Sequence, residues 1–226
     1  MRIVIKLGGH LFTSELDPER ISSYTEVLRK LISEGHQVVV VAGGGEVSRK
    51  YISAARKLGA TEVMCDELGI DVARMNAQLL IIRLGKEAYP EPPSSNKELR
   101  LALASGKIVI LGGLHPGQST NAVAASAAEE IRADLLINAT NVDGVYSADP
   151  KSDSRAKLFS RITPSELIDL LISKSFGAGG YELFDMVAIK IVERSKIPTV
   201  IIDGKKPENI IRVIHGEKLG TRLIYD

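Results

Sequence analysis

Short runs of β-branched residues alternate with longer helical patterns from one end of the chain to the other. This alternation is typical of a mostly parallel sheet with helices on its faces. The strongest runs are apolar throughout, as expected for strands that are buried on both sides. The sequence predicts strands at 3–7, 37–42, 107–111, 135–139 and 199–202, with weaker ones at 157–159 and 222–224.

Helical patterns fill the intervals between these runs. We expect helices at 18–34, 46–58, 68–84, 96–105, 120–131, 164–172, 183–195 and 207–213. In the third of them, apolar residues recur at spacings of three and four, which predicts one buried face with Arg74 outside it. The residues of that predicted buried face are Leu68, Val72, Met75, Leu79 and Ile82.

The domain organisation follows from the absence of a convincing linker. The segment 89–96 is rich in Pro and Ser, but the same α/β pattern continues on both sides of it, so it is predicted to be a surface loop. We therefore expect one domain spanning 1–226, a three-layer α/β/α sandwich with a central, mostly parallel sheet.

The charges of the chain nearly cancel, since 29 Lys and Arg against 28 Asp and Glu give a formal net charge of +1. This balance favours neither nucleic acid nor a membrane surface as a partner. The single Cys65 cannot form an intramolecular disulfide, and no apolar run approaches the ~18 residues of a membrane span. We expect a cytoplasmic protein that binds small molecules and holds their anionic groups locally.

Glycine is abundant, with 20 residues against 4% aromatics, and it clusters after three predicted strands. The clusters are Gly8-Gly9, Gly43 to Gly45, and a segment from Gly112 to Gly117. Ligands of open α/β sheets bind beyond the carboxyl ends of the strands, so the three clusters are predicted to meet at one edge. Two of them lead into helices, whose free N–H groups favour anions. A tight turn is the alternative for any one cluster.

Neither of the two common phosphate-binding motifs is present. Gly106-Lys107 is followed by Ile108, so no Walker loop exists, and the triple glycine does not complete a dinucleotide fingerprint. What remains is Lys6, directly before the first glycine pair, and Arg49, one turn into the helix after the triple glycine. Cations at the mouth of a phosphate loop neutralise charge on phosphoryl oxygens. A solvated surface position is the usual alternative for Lys and Arg, but Lys6 continues an apolar strand, where a charge without a partner would be costly.

Several motifs resemble the amino acid kinase family, and within it the uridylate (UMP) kinases of the archaeal type. The first and third of them are family-wide, and the resemblance extends over the whole chain. They are Val4-Ile5-Lys6-Leu7-Gly8-Gly9, Val41-Ala42-Gly43-Gly44-Gly45 with Arg49, Thr140-Asn141-Val142-Asp143-Gly144-Val145-Tyr146, Asp66-Glu67-Leu68-Gly69, Arg74-Met75-Asn76-Ala77 and Leu114-His115-Pro116-Gly117-Gln118-Ser119-Thr120.

The resemblance implies ATP as the phosphate donor. It implies catalytic roles for Lys6 and Arg49, with Asp143 as a candidate for organising the phosphate lysines. Lys190 is a further candidate for stabilising the transferred group, although an exposed helix lysine is an open alternative. The ATP contacts that it implies are Lys6, Leu7, Gly8, Gly9, His10, Gly45, Arg49, Thr140, Asn141, Tyr146 and Asp149. Packing beneath the loop for Tyr146, and a simple turn at Asp149-Pro150, are the alternatives.

The acceptor implied by the resemblance is UMP. Asp66 is expected to bind the ribose hydroxyls, and a plain helix N-cap is its alternative. The remaining UMP contacts are Gly44, Leu114, His115, Pro116, Gly117, Gln118, Ser119 and Thr120. Where many relatives have an acidic residue after that threonine, this chain has Asn121, so no essential carboxylate is assigned there.

The chemistry implied is in-line phosphoryl transfer that needs no general base, because the second pKa of a monophosphate is about 6. We expect Mg²⁺ to accompany ATP, held mainly by phosphates and water, and no protein metal ligands are assigned. The family also implies a homo-oligomer, commonly a hexamer. Two alternatives stay open: another acceptor, such as acetylglutamate, carbamate or isopentenyl phosphate, or a non-catalytic nucleotide or oxyanion binder.

Overall fold

The computed structural model describes residues 1–148, 153–172 and 184–225. The segment 176–181, to which the sequence assigns no role, lies outside these ranges. The described chain forms an α/β fold with a seven-stranded sheet between helical layers, so the predicted fold class is confirmed.

The elements follow each other in the predicted alternation. The strands are β1 (Arg2–Leu7), β2 (Gln37–Ala42), β3 (Val109–Leu111), β4 (Leu135–Thr140), β5 (Arg161–Ile162), β6 (Thr199–Asp203) and β7 (Thr221–Leu223). The helices are α1 (Pro18–Ser33), α2 (Gly45–Lys57), α3 (Glu62–Leu84), α4 (Asn96–Leu103), α5 (Thr120–Glu130), α6 (Pro164–Ile172), α7 (Met186–Arg194) and α8 (Glu208–Ile214).

The strands are arranged in the order β3-β2-β1-β4-β6-β7-β5. Every pairing is parallel except that between β6 and β7, which is antiparallel. The carboxyl ends of β3, β2, β1 and β4 therefore lie side by side at one edge. In this register Lys6 stands beside Val41 on one side and Asn138 on the other.

The predicted weak strand at 157–159 is wrong. Leu158 forms only an isolated antiparallel bridge with Tyr146, and the strand that joins the sheet is β5, which pairs with β7. The apolar residues at 158 and 159 produced the false prediction. They cover the loop that contains Tyr146, where Phe159 donates its N–H to the Val145 carbonyl.

Two apolar layers form the core, one on each side of the sheet. Ile3, Ile5 and Leu7 of β1 pack on one side with residues of α1, α3 and α8, while Val4 packs on the other side with residues of α5 and α7. Because successive strand side chains point to opposite faces, Lys6 lies on the face of Val4. This is the face of the sheet on which α5 packs.

Helix α3 differs from its prediction in two respects. It begins six residues earlier than expected, at Glu62, with Thr61 as the N-cap whose hydroxyl accepts the Met64 N–H. Asp66 is therefore inside the helix, and its interpretation as an N-cap is wrong.

The buried face of α3 was predicted correctly only in part: Val72 is buried, and Leu79 packs partly buried against the core. Met75 and Ile82 are 56% and 69% exposed, whereas Ala73, Ala77 and Leu80 are buried. Small residues face the sheet here because the helix lies close to the backbone after β3: a Cβ placed on Gly112 would come within 2.5 Å of the Arg74 nitrogen. Sequence spacing alone therefore included two residues, Met75 and Ile82, that the fold leaves exposed.

The other helix ends lie within about one turn of their predicted positions, as is usual for helix boundaries. Within the three described ranges, no helix has the length and apolar character that a membrane crossing requires.

The two faces of α3 allow a stability test. Leu80→Ala should lower the free energy of unfolding by about 2–5 kcal/mol, because it opens a cavity at a fully buried position. Asp71→Ala, on the exposed side of the same helix, should change it by about 0.5 kcal/mol or less. Urea unfolding followed by circular dichroism measures both, and equal losses would contradict the assignment of the two faces.

Candidate functional site

The three glycine clusters follow β1, β2 and β3, which are neighbours in the sheet, and the first two touch each other. The Gly43 N–H donates to the Leu7 carbonyl over 3.0 Å, and the Gly8 N–H donates to the Ala139 carbonyl of β4 over 2.8 Å. A Cβ on Gly9 would lie 2.6 Å from the Gly45 Cα. Backbone contacts thus join the carboxyl ends of β2, β1 and β4.

Gly45 is the residue on which this contact depends. Its φ is +70°, a conformation that other residues rarely adopt, and a Cβ there would lie 2.2 Å from the Phe12 carbonyl oxygen. It is also the first residue of α2, so the loop turns directly into the amino end of a helix. That end presents N–H groups to the edge where the strands finish.

The two predicted catalytic cations differ in their surroundings. Lys6 is 8% exposed at the end of a buried strand. Arg49 is exposed one turn into α2, where it lines a shallow surface cavity together with Lys50 and Lys57. Positive charge is therefore present both within the sheet edge and on the adjoining helix.

Helix α3 holds the predicted acceptor loop at two points. The Gly117 N–H donates to Asp66 Oδ2 over 2.7 Å, and Arg74 Nε donates to the Gly113 carbonyl over 3.1 Å. The predicted contact residues of this loop are placed together, but not all are accessible. Leu114 is buried, whereas His115, Pro116, Gly117, Gln118 and Ser119 are exposed and Thr120 is partly buried.

Ser119 ends the acceptor loop as the N-cap of α5. Its Oγ accepts the N–H groups of Asn121 and Ala122, and it also donates to a carboxylate oxygen of Asp185, the N-cap of α7. Two helices therefore begin at the same place. Asn121, set aside in the sequence analysis, is buried in the first turn of α5, and its Oδ1 has no partner among the described residues.

The motif predicted to bind adenosine follows β4. Thr140 is buried, and its hydroxyl donates to Asn141 Oδ1 over 3.3 Å, while Asn141 itself is exposed. The Tyr146 hydroxyl donates to Asp143 Oδ1 over 2.8 Å, and this bond to a carboxylate raises the pKa of Tyr146. Asp149 lies outside the described residues.

Asp143 and Lys190, the two remaining catalytic candidates, bond to near neighbours in the chain. Asp143 is exposed and accepts from Tyr146, as described above. The Lys190 ammonium lies 2.8 Å from a Glu193 carboxylate oxygen on the exposed side of α7. This ion pair favours the interpretation of Lys190 as an exposed helix lysine.

His10 turns its side chain away from solvent and into the fold. A Cβ on Gly8 would lie 2.7 Å from its Nδ1, and a Cβ on Gly204 would lie 3.0 Å from its Cε1, so the ring occupies space left by two glycines. Its Nε2 is 3.5 Å from the hydroxyl of Tyr24, whose pKa burial raises to about 12. The imidazole joins the loop after β1 to the loop after β6.

The ionisation of His10 follows from this position. Burial lowers its pKa, and the positive charges of Lys6 and Arg20 lower it further, against a hydrogen bond to the Gly204 backbone and the charge of Asp203. The ring is therefore neutral at pH 7. This placement was not visible in the sequence, where His10 appeared only as the last residue of a phosphate loop.

Glycine loops and cations at the carboxyl edge of a parallel sheet are typical of α/β proteins that bind phosphate groups. The family model of the amino acid kinase family matches residues 1–203. The chain belongs to that family.

Individual relatives are more specific. The chain is 48% identical to a uridylate kinase of Methanococcoides burtonii, over 99% of this chain and 100% of that one, and 46% identical to a uridylate kinase of Methanobrevibacter smithii, over 99% of both. The crystal structure of uridylate kinase from Archaeoglobus fulgidus superposes with a TM-score of 0.89 at 42% identity, covering 99% of this chain and 100% of that one. The predicted resemblance to archaeal uridylate kinases is thereby confirmed.

His10 provides a test by pH. Because its pKa is lower in the folded than in the unfolded chain, only the unfolded chain binds the proton as pH first drops below about 6.5. The contribution of the neutral His10 ring to the free energy of unfolding should be fully present above pH 6.5 and should decrease as the pH falls below it. His10→Gln should therefore lose less unfolding free energy than the wild type between pH 7.5 and pH 5 in urea titrations. Equal losses would show that His10 is not held neutral.

Proposed function

We propose that this protein transfers the γ-phosphate of ATP to UMP, giving ADP and UDP, in the synthesis of pyrimidine nucleotides. The observation that carries the proposal is the order of the strands β3-β2-β1-β4. The loops after them are, in the same order, the proposed UMP loop, the triple glycine, the first glycine pair and the proposed adenosine motif. This order matches two nucleotides placed end to end with their phosphates in the middle.

In the proposed function, residues 1–226 form one domain with two functional parts. The N-terminal part supplies the acceptor side, from α3 and the loop after β3, and the C-terminal part supplies much of the donor side, from the motif after β4. The Gly43 to Gly45 loop lies between them, since β2 is flanked by β3 and β1. The names of the archaeal relatives support UMP as the acceptor.

Catalysis in this proposal rests on alignment and charge neutralisation. The attacking phosphate oxygen of UMP is mostly ionised at neutral pH, so no residue has to remove a proton. Lys6 and Arg49 bring two positive charges, and the loop N–H groups add donors that are fixed in place by the fold. Such preorganised groups stabilise the charge that develops on the transferring phosphoryl oxygens.

We propose that Mg²⁺ enters with ATP. Within residues 1–148, 153–172 and 184–225 no group of three or more His, Cys, Asp or Glu side chains is arranged to hold a metal ion. In the proposal the ion is bound mainly by phosphate oxygens and water, which is the usual environment of Mg²⁺ in phosphoryl transfer. When bound, the ion would offset the negative charge of the ATP phosphates.

The same proposal includes a cytoplasmic homo-oligomer, a hexamer by resemblance. Met64, Met75 and Ile82 lie on one side of α3 and are each more than half exposed. An apolar stripe of this kind on a helix surface supports a contact between copies of the chain.

An acceptor panel tests the substrate assignment. ADP release by the purified protein with ATP and Mg²⁺ should be fastest with UMP, and slower with CMP, acetylglutamate, carbamate or isopentenyl phosphate. A preference for one of the last three would refute the assignment within the family. If no acceptor supports ADP release while ATP and UMP still bind, the non-catalytic alternative holds.

Lys6 provides the test of mechanism. Lys6→Ala should lower kcat by about 10²–10³-fold, because it removes a buried charge that stabilises the transition state. Lys97→Ala, which changes an exposed lysine of α4, should leave kcat near that of the wild type. Circular dichroism should show both variants folded, and near-normal kcat in a folded Lys6→Ala protein would defeat the proposed role.

A further inference from the structure

Asn76 connects α3 to the triple glycine through two hydrogen bonds, and no role has been assigned to it above. Its side chain is buried, with 4% exposed, on the face of α3 that approaches the sheet. Its Nδ2 donates to the Gly43 carbonyl over 2.9 Å and to the Gly44 carbonyl over 3.2 Å. Both protons of one amide group are therefore used on two consecutive peptide units.

These two bonds determine where the following N–H groups point. In a trans peptide the C=O and the N–H point in opposite directions, and no cis peptide occurs in the described residues. With the carbonyls of Gly43 and Gly44 held toward α3, the N–H groups of Gly44 and Gly45 point away from it. Neither N–H donates to an acceptor among the described residues, so both are left for a ligand.

The loop cannot hold this orientation through side chains of its own. Its residues are glycines, which permit many backbone conformations, and Gly45 occupies one that other residues avoid. The Gly43 N–H bond to the Leu7 carbonyl and the Ser48 N–H bond to the Gly44 carbonyl restrain the loop from its backbone, and Asn76 is the side chain that binds both carbonyls at once. An apolar residue of similar size at position 76 would fill the space but remove the side-chain donor from the Gly43 carbonyl and leave the Gly44 carbonyl with the Ser48 N–H at 3.4 Å.

We propose that Asn76 is a positioning residue for phosphoryl transfer: it fixes the Gly43 to Gly45 loop so that the N–H groups of Gly44 and Gly45 face the transferring phosphoryl group. The proposal rests on the proposed function, because it assigns this loop to the place where donor and acceptor phosphates meet. Fixed amides stabilise charge that develops in the transition state more than charge already present in the bound substrates.

The kinetic signature follows from that distinction. Asn76→Leu, which keeps the approximate size, and Asn76→Ser, which is too short to bond both carbonyls, should each lower kcat about 100-fold, comparable to the loss of an oxyanion donor. The KM values for ATP and UMP should change by less than about threefold, since Lys6, Arg49 and the acceptor loop remain. A role in packing alone would lower thermal stability without this split between kcat and KM.

A matched control comes from a second asparagine. Asn96 Nδ2 donates to Ser126 Oγ over 3.2 Å between α4 and α5, away from the glycine loops. Asn96→Leu should therefore keep the wild-type kcat while losing a comparable side-chain hydrogen bond. If Asn96→Leu loses kcat as strongly as Asn76→Leu, the effect belongs to general destabilisation and the proposal is wrong.

Hydrogen exchange supplies a readout that does not depend on turnover. In the wild type, a non-hydrolysable ATP analogue with UMP should slow amide exchange in residues 43–46, and in Asn76→Ser the same segment should exchange faster without ligand. No slowing in the wild type overturns the proposal even if both Asn76 variants fail to fold, and so does a folded Asn76 variant with wild-type kcat. A wild-type protein that does not phosphorylate UMP would instead refute the proposed function.

Discussion

The loops that follow β1 and β2 touch through their backbones, and the site depends on this contact. No side chain fits between Gly9 and Gly45, because a Cβ on Gly9 would lie 2.6 Å from the Gly45 Cα. The parallel register of β1 and β2 brings the loops to the same height, and the glycines allow them to close. The N–H groups of two loops are thereby gathered within one small volume, which an anion with several charged oxygens can fill.

Much of the fold could be predicted because its signal is local. Apolar runs such as 37–42 are buried strands, and glycines directly after them can only lie at the carboxyl edge of a parallel sheet. The failures concern relations between elements. Met75 and Ile82 have the spacing of a core face, but the side of α3 that meets the sheet is decided by the close approach at Gly112, which no local pattern shows. The start of α3 was missed although Thr61 is an ordinary N-cap residue.

The parts of the candidate site that are formed by loops directly after strands could be predicted from the sequence. The contacts that side chains make between distant elements could not. Lys6, the glycines and Ser119 stand beside the elements they serve, so their sequence positions reveal them. Asn76 bonds to residues more than thirty positions away, and Arg74 reaches Gly113 from the same helix. Both lay in a motif that the resemblance marked without explaining. The structure supplies the explanation, because α3 is the element that contacts both the triple glycine and the acceptor loop.

The position of the His10 ring between two glycines matters for redesign of this protein, because it couples three positions of the sequence. The ring occupies room that exists only because positions 8 and 204 have no Cβ, so the three positions form one steric unit although they come from opposite ends of the chain. A smaller residue at position 10 would leave an unfilled gap, and a larger one at position 8 or 204 would expel the imidazole. Libraries that vary these sites one at a time will sample mostly misfits, whereas libraries that vary them jointly can find new complementary sets.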